Sequence, residues 1–185
     1  MFKFFFLFLL SLLIINTQAQ SIQTRTVDSS GSIIIYTTMD TLALGSDYCA
    51  VEGAIFNADS VNYYALVLYL NAPQTFFLNK KDKILIRYND GEVYDQFAYT
   101  EGELFTEGEL TKVFIAVSEN ALKKITRNPP ISISLVTDKF KHAIKVDNTR
   151  MESFKNLADY MLHINVYDPN GIKWSELTDM KFPEN

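Results

Sequence analysis

Cysteine is almost missing from this 185-residue chain, which has one, Cys49. No internal disulfide is available, so the fold has to rest on buried apolar surface alone. Histidine is nearly as scarce, with only His142 and His163, and there is one tryptophan, Trp174. Sites built on converging imidazoles or thiolates therefore have little material to work with. No Gly-x-Ser-x-Gly elbow, His-Glu-x-x-His helix, phosphate-cradling glycine loop or dinucleotide fingerprint occurs, which removes the enzyme classes that depend on them. Basic residues are also in deficit, 17 Lys and Arg against 22 Asp and Glu, and they do not cluster. Such a surface repels phosphate backbones and argues against nucleic acid as a partner.

Long apolar runs are confined to the start of the chain. Lys3, the stretch from Phe4 to Ile15, and Thr17-Gln18-Ala19 supply the basic, apolar and small-residue parts of a cleavable export signal over residues 1–19. The run stops at Asn16, short of the roughly 20 residues a spanning helix needs. The expectation is cleavage ahead of Gln20, no stable membrane anchor afterwards, and a working location in the periplasm or outside the cell. Cys49 is too far from that point to carry a lipid. With Lys3 removed, 16 basic residues face 22 acidic ones, a net charge of −6. The 166 residues left amount to one domain.

Residues 20–31 are rich in Ser, Thr and Gln and read as a flexible leader, with a single domain over 32–185. Short β-branched and apolar segments then predict strands at Ile33–Thr38 and Tyr48–Phe56, where Gly53 suggests a bulge, and Cys49, among apolar neighbours, is expected to be buried. Asn62–Leu70 is the strongest strand. Tyr64, Leu66, Leu68 and Leu70 fall on one face and Tyr63, Ala65, Val67 and Tyr69 on the other, so both faces are apolar and a central place in a sheet follows. Lys83–Tyr88 and Glu92–Tyr99 flank Asn89-Asp90-Gly91 as a hairpin. Thr100-Glu101-Gly102-Glu103-Leu104 recurs as Thr106-Glu107-Gly108-Glu109-Leu110, read as an acidic loop.

Lys112–Val117 is a further strand, and Ser118 is placed to cap a helix that Asn128-Pro129-Pro130 ends. The alternation at Ile131, Ile133 and Leu135 and at Phe140, His142, Ile144 and Val146 predicts a second hairpin. Thr149 and Glu152 read as a capping box for a second helix with Met151, Phe154, Leu157, Ala158 and Met161 on its apolar face. After the Asp168–Gly171 turn, Ile172–Phe182 reads as a short amphipathic helix or a docked tail. Strands in hairpin runs with two late helices predict an α+β fold, an antiparallel β-sheet with the helices packed on it; an all-β sandwich with appended helices is the alternative.

Candidate chemistry is sparse, and no cofactor is implied. The aromatic face of Asn62–Leu70 makes Tyr63 and Tyr69 candidate ligand contacts, with Trp174 as a third. Glu101, Glu103, Glu107 and Glu109 are the candidate calcium ligands, although alternating Glu residues also suit a wet hairpin rim. His142 and His163 could join Asp159 at a metal, the plainer alternative being a half-buried His142 and a His163 at a helix C-terminus. Nothing in the spacing pairs Cys49 with either histidine.

From Phe77 to Gly91, through Leu78, Asp82-Lys83-Ile84 and Asp90-Gly91, the chain resembles a group of small, uncharacterised exported bacterial proteins with the pattern Leu-x-x-Gly-Asp-Lys-Leu, a strand and Asp-Gly. Val113–Val146 is similar to that group's later strand, Ser-capped helix and Ile-rich hairpin, and the resemblance covers roughly residues 60–165. Lys81 stands where the pattern has Gly. The resemblance implies export and an α+β fold and lends no activity.

Three functional readings follow. The first is a non-enzymatic binding or interaction module of the cell envelope, taking an unknown protein or a small apolar ligand. The second is an exported hydrolase working through paired carboxylates, which requires two of them to converge in a pocket with aromatic walls. The third is a self-associating structural protein docked through the tail near Trp174.

Overall fold

The computed structural model describes residues 20–79, 81–98 and 104–167. Strands β1 (Ile22–Val27), β2 (Ile33–Thr37), β3 (Asp40–Ala43), β4 (Cys49–Ala58), β5 (Val61–Asn71) and β10 (Leu110–Val117) form one antiparallel sheet, ordered β1-β2-β4-β5-β10 with β3 also paired to β4. A second antiparallel sheet, ordered β12-β11-β7-β8, contains β7 (Lys83–Tyr88), β8 (Val93–Phe97), β11 (Pro130–Val136) and β12 (Lys141–Lys145). Two short strands, β6 (Phe76–Phe77) and β9 (Leu104–Phe105), pair separately. Helices α1 (Glu119–Arg127) and α2 (Met151–His163) complete an α+β architecture of antiparallel sheets with two late helices.

The segment read as a flexible leader is instead the edge strand β1, in register with β2 from Arg25↔Ile35 to Val27↔Ile33. Its polar, largely exposed side chains are what an edge strand tolerates, and they hid it. Asp28-Ser29-Ser30-Gly31 is its turn. The Asp28 carboxylate accepts from the Ser30 and Ser32 N–H groups, 2.9 Å each, and Gly31 takes φ +84°.

The long β4–β5 hairpin turns on Asp59 and Ser60, both at positive φ, as a two-residue turn matched to strand twist requires. Gly53 does not mark a bulge, because β4 and β5 stay in register from Cys49↔Leu70 to Ala58↔Val61. It marks the place where α2 comes closest. A Cβ there would lie 2.6 Å from Met161 Sδ and 3.2 Å from Leu157 Cδ1.

The inner faces of both sheets and the apolar faces of both helices share one core, which includes Ile35, Ile55, Leu66, Leu68, Ile84, Ile86, Leu122 and Phe154. The sheets meet near β8 and β10, where Tyr94 Oη donates to Ala116 O, 3.2 Å. Helix α1 begins where the sequence places it, with Ser118 Oγ accepting from Ala121 N at 3.1 Å. The expected capping box on α2 does not form. Asp147, not Thr149, organises that entry, its carboxylate accepting from Thr149 N and Oγ1 at 2.9 Å each, while Glu152 pairs with Lys155. An Asx turn one step upstream is the alternative that the Thr-x-x-Glu spacing cannot reveal.

Two consequences are measurable. Burial pushes the Cys49 thiol up to about 12, so it stays protonated in the folded protein. A thiol reagent at pH 8 is expected to label it only at the rate of unfolding; rapid labelling without denaturant would place the thiol at the surface. Asp40 on β3 is buried, and desolvation raises its carboxyl pKa, with the Arg150 charge partly opposing. A carboxyl raised by folding costs stability as pH rises through its folded value, because the native state has to hold a charge it resists. Asp40→Asn is therefore expected to melt above the wild type at pH 7, with the gap closing toward pH 3. Gln20 Nε2, which bonds Asp40 Oδ2, keeps an acceptor in the variant.

Candidate functional site

The outer faces of the two sheets differ in kind. On the second sheet, the face turned from the core carries Lys83, Arg87, Asp95, Lys141 and Lys145 together with the exposed Val93 and Phe97. Lys83 Nζ lies 2.9 Å from Asp95 Oδ2 and 4.9 Å from the Phe97 ring centroid, so the apolar side chains there stand among charges. The outer face of the six-stranded sheet carries a patch that is almost wholly apolar, set by the period-two alternation of β2, β4, β5 and β10.

Strand register arranges this patch in rows. Tyr36, Ala54, Ala65 and Ala116 are cross-strand partners in sequence, so one row ends in a tyrosine and then runs through three alanines. On one side stands the row Ile34, Phe56 and Tyr63; on the other stands Glu52, Val67 and Phe114. Small side chains flanked by large ones make a trough whose floor is the alanine row. Its volume is about 710 Å³, lined by Ile34, Tyr36, Ala54, Phe56, Tyr63 and Phe114 among others. Four strands set its length at about 14 Å, and rows two residues apart set the walls about 13 Å from each other. Phe56 and Tyr63 remain 40% and 58% exposed, their rings tilted with centroids 6.2 Å apart.

Beyond the Val67 and Phe114 row lies a second, polar cleft of about 380 Å³, and Tyr36 lines both. Its walls include Tyr36, Tyr48, Tyr69, Gln23 and Lys112, and its buried acid is Glu52, 7% exposed. Tyr69 Oη donates to Glu52 Oε2 at 2.7 Å. Gln23, in the amide orientation that satisfies its neighbours, donates to Glu52 Oε1 at 3.1 Å and to Thr37 O at 3.2 Å. Burial, the hydrogen bond to Glu52 and that residue's charge all raise the Tyr69 pKa, so its phenol stays a donor. Lys112 Nζ sits over the rings of Phe114 and Tyr69, 5.0 and 5.6 Å from their centroids.

Of the sequence-derived candidates, Tyr63 and Tyr69 do share the outer face of β5, but they serve different cavities, Tyr63 the trough and Tyr69 the polar cleft. Trp174, Glu101 and Glu103 lie outside the described residues. Glu107 and Glu109 are exposed, and Glu109 Oε2 accepts from Thr106 N at 3.1 Å, a turn contact. Among the described residues no three of His, Cys, Asp and Glu gather as metal ligands. His163 is 73% exposed and keeps to its own helix, with Nδ1 2.8 Å from Asp159 O. His142 faces inward opposite Leu135, its buried Nε2 without a hydrogen-bond partner. Cys49 points into the core, on the opposite face of β4 from the trough.

The residues that sequence reasoning missed are the alanines and Glu52. Alanine carries no signal of its own in a strand, and only the pairing of β2, β4, β5 and β10 brings Ala54, Ala65 and Ala116 into one row. Glu52 interrupts an apolar strand, and that interruption was the available hint.

No protein-family model and no curated protein matches the chain. Among solved structures it is similar to an uncharacterized β-sandwich protein from Clostridium difficile 630, at 16% identity over 68% of this chain and 91% of that one, with a TM-score of 0.25.

Proposed function

We propose that the protein is an exported binding module that holds a small, elongated apolar molecule in the alanine-floored trough. The observation that carries this reading is the contrast between the two outer faces: one sheet sets charges among its exposed Val93 and Phe97, while the other sinks a row of alanines between aromatic side chains, with no charged residue in the trough's lining. A face meant only for water gains nothing from a continuous apolar trough, and a flat protein interface has no use for a sunken alanine row. About 710 Å³ falls within the range of small-molecule sites, and aromatic walls over an apolar floor are their usual lining. Export is supported by residues 1–19 of the sequence, and among the described residues no helix is long and apolar enough to cross a membrane.

The hydrolase reading needs two converging carboxylates, whereas the polar cleft's described lining holds a single one, Glu52, already bonded to Tyr69.

The test is an NMR titration of alanine-methyl-labelled protein with 1-octanol. Saturable shifts are expected at Ala54, Ala65 and Ala116, with the buried Ala158 and the charged-sheet Ala143 unmoved. Shifts spread evenly over the surface, or none at millimolar probe, would sink the reading.

A further inference from the structure

The polar cleft holds a buried acid that has hydrogen-bond partners but no ion-pair partner among the described residues. Glu52 is 7% exposed, and a carboxylate held that far from water is costly unless hydrogen bonds or an opposite charge compensate it. Tyr69 and Gln23 supply the hydrogen bonds. Among the described residues no Lys, Arg or His lies within ion-pair distance of it. Lys112, the cation lining the same cleft, has its ammonium over Tyr69 and Phe114 instead. Three tyrosines, Tyr36, Tyr48 and Tyr69, line the space around that acid. A buried carboxylate in a cleft lined by tyrosines is the chemistry that receives an organic ammonium group, by charge and by a charge-assisted hydrogen bond.

Building on the trough reading, we infer that the ligand is an amphipathic amine, its ammonium group bound in the cleft at Glu52 among Tyr36, Tyr48 and Tyr69 and its apolar body laid in the alanine-floored trough. Tyr36 lines both cavities, which places its ring beside the path a single molecule would take from one to the other. The Tyr69 phenol keeps its proton and its bond to Glu52 Oε2, which leaves the carboxylate's remaining lone pairs to accept from an ammonium N–H. Lys112 is exposed, so its charge is screened and its side chain is free to swing to solvent when a second cation arrives.

Three probes of equal chain length separate the parts of this inference: octylammonium, 1-octanol and octanoate, each titrated by NMR into the wild type, Glu52→Gln and Lys112→Ala. Glu52→Gln keeps the shape and an acceptor for Tyr69, and the comparison among probes on the wild type does not depend on any variant folding. The wild type is expected to bind octylammonium about tenfold or more tighter than the other two, the worth of one charge-assisted hydrogen bond at a buried acid. Glu52→Gln should erase that preference while 1-octanol affinity stays, and Lys112→Ala should leave octylammonium as tight or tighter. Equal affinity for all three probes would overturn the amine and leave the trough standing. A preference for octanoate that vanishes in Lys112→Ala would overturn it in favour of an anionic head group. If no probe binds, the trough reading fails and the amine falls with it.

Discussion

Replacing Gly53 is expected to destabilise the fold even where the substitution adds a single methyl. In Gly53→Ala a new methyl must find room 2.6 Å from Met161 Sδ and 2.9 Å from Met161 Cγ, both fully buried, with Leu157 Cδ1 at 3.2 Å. Overpacking of this kind costs about 1–3 kcal/mol. The entropic benefit of losing a strand glycine, roughly 0.5–1 kcal/mol, offsets only part of it. Gly53→Val adds two further methyls in the same gap and is expected to exceed that range, a large share of the roughly 5–15 kcal/mol that holds a domain of this size. Methionine is the flexible partner here, which makes the cause testable. Met161→Ala alone should cost about 2–5 kcal/mol by leaving a cavity. Combined with Gly53→Ala it should cost less than the sum of the two, by about 1 kcal/mol or more, because each change relieves the other's defect. Urea unfolding of the four proteins checks the cycle. Strict additivity would mean that the close approach of α2 to β4 is not what Gly53 is for.

Ala65→Trp should abolish binding in the trough while leaving the fold intact. Ala65 is the middle of the floor, paired with Ala54 on one side and Ala116 on the other. An indole there fills the space between the Phe56–Tyr63 wall and the Phe114 wall. Its ring is held by the same apolar contacts that a ligand would use, so the loss in probe affinity should be tenfold or more, about 1.4 kcal/mol at least. Because the residue faces outward, the core is untouched and surface-class effects within about 0.5 kcal/mol are expected on stability. A variant that melts with the wild type yet ignores 1-octanol supports the assignment. One that melts much lower would show instead that Ala65 packs against something structural.

How far sequence reading went can be seen residue by residue. The pattern found β5, because Tyr63 to Leu70 is an unbroken apolar run of strand length, and it found α1 because Ser118 and Pro129 bracket it. It failed where the informative property was pairwise. Nothing in Ile22 to Val27 says that this stretch will lie against β2, since an edge strand is permitted to look like a tether. Gly53 reads equally as a bulge or as a helix contact until the position of Met161 is known. Asn62–Leu70 lies inside a sheet, as its two apolar faces predict, but only the Leu66, Leu68 and Leu70 face joins the core. The other face carries the site. Tyr63 and Tyr69 were legible as candidates from alternation alone, whereas the floor that gives Tyr63 a trough to border depends on register across four strands.

The central claim is that the outer face of the six-stranded sheet is a binding surface for an apolar molecule. Isothermal titration of 1-octanol into the wild type and Ala65→Trp, repeated at several temperatures, tests it most directly. Burial of apolar surface gives a negative heat-capacity change on binding. The prediction is saturable binding by the wild type with that sign and no measurable binding by Ala65→Trp. Equal binding by both proteins would place the probe elsewhere and contradict the claim.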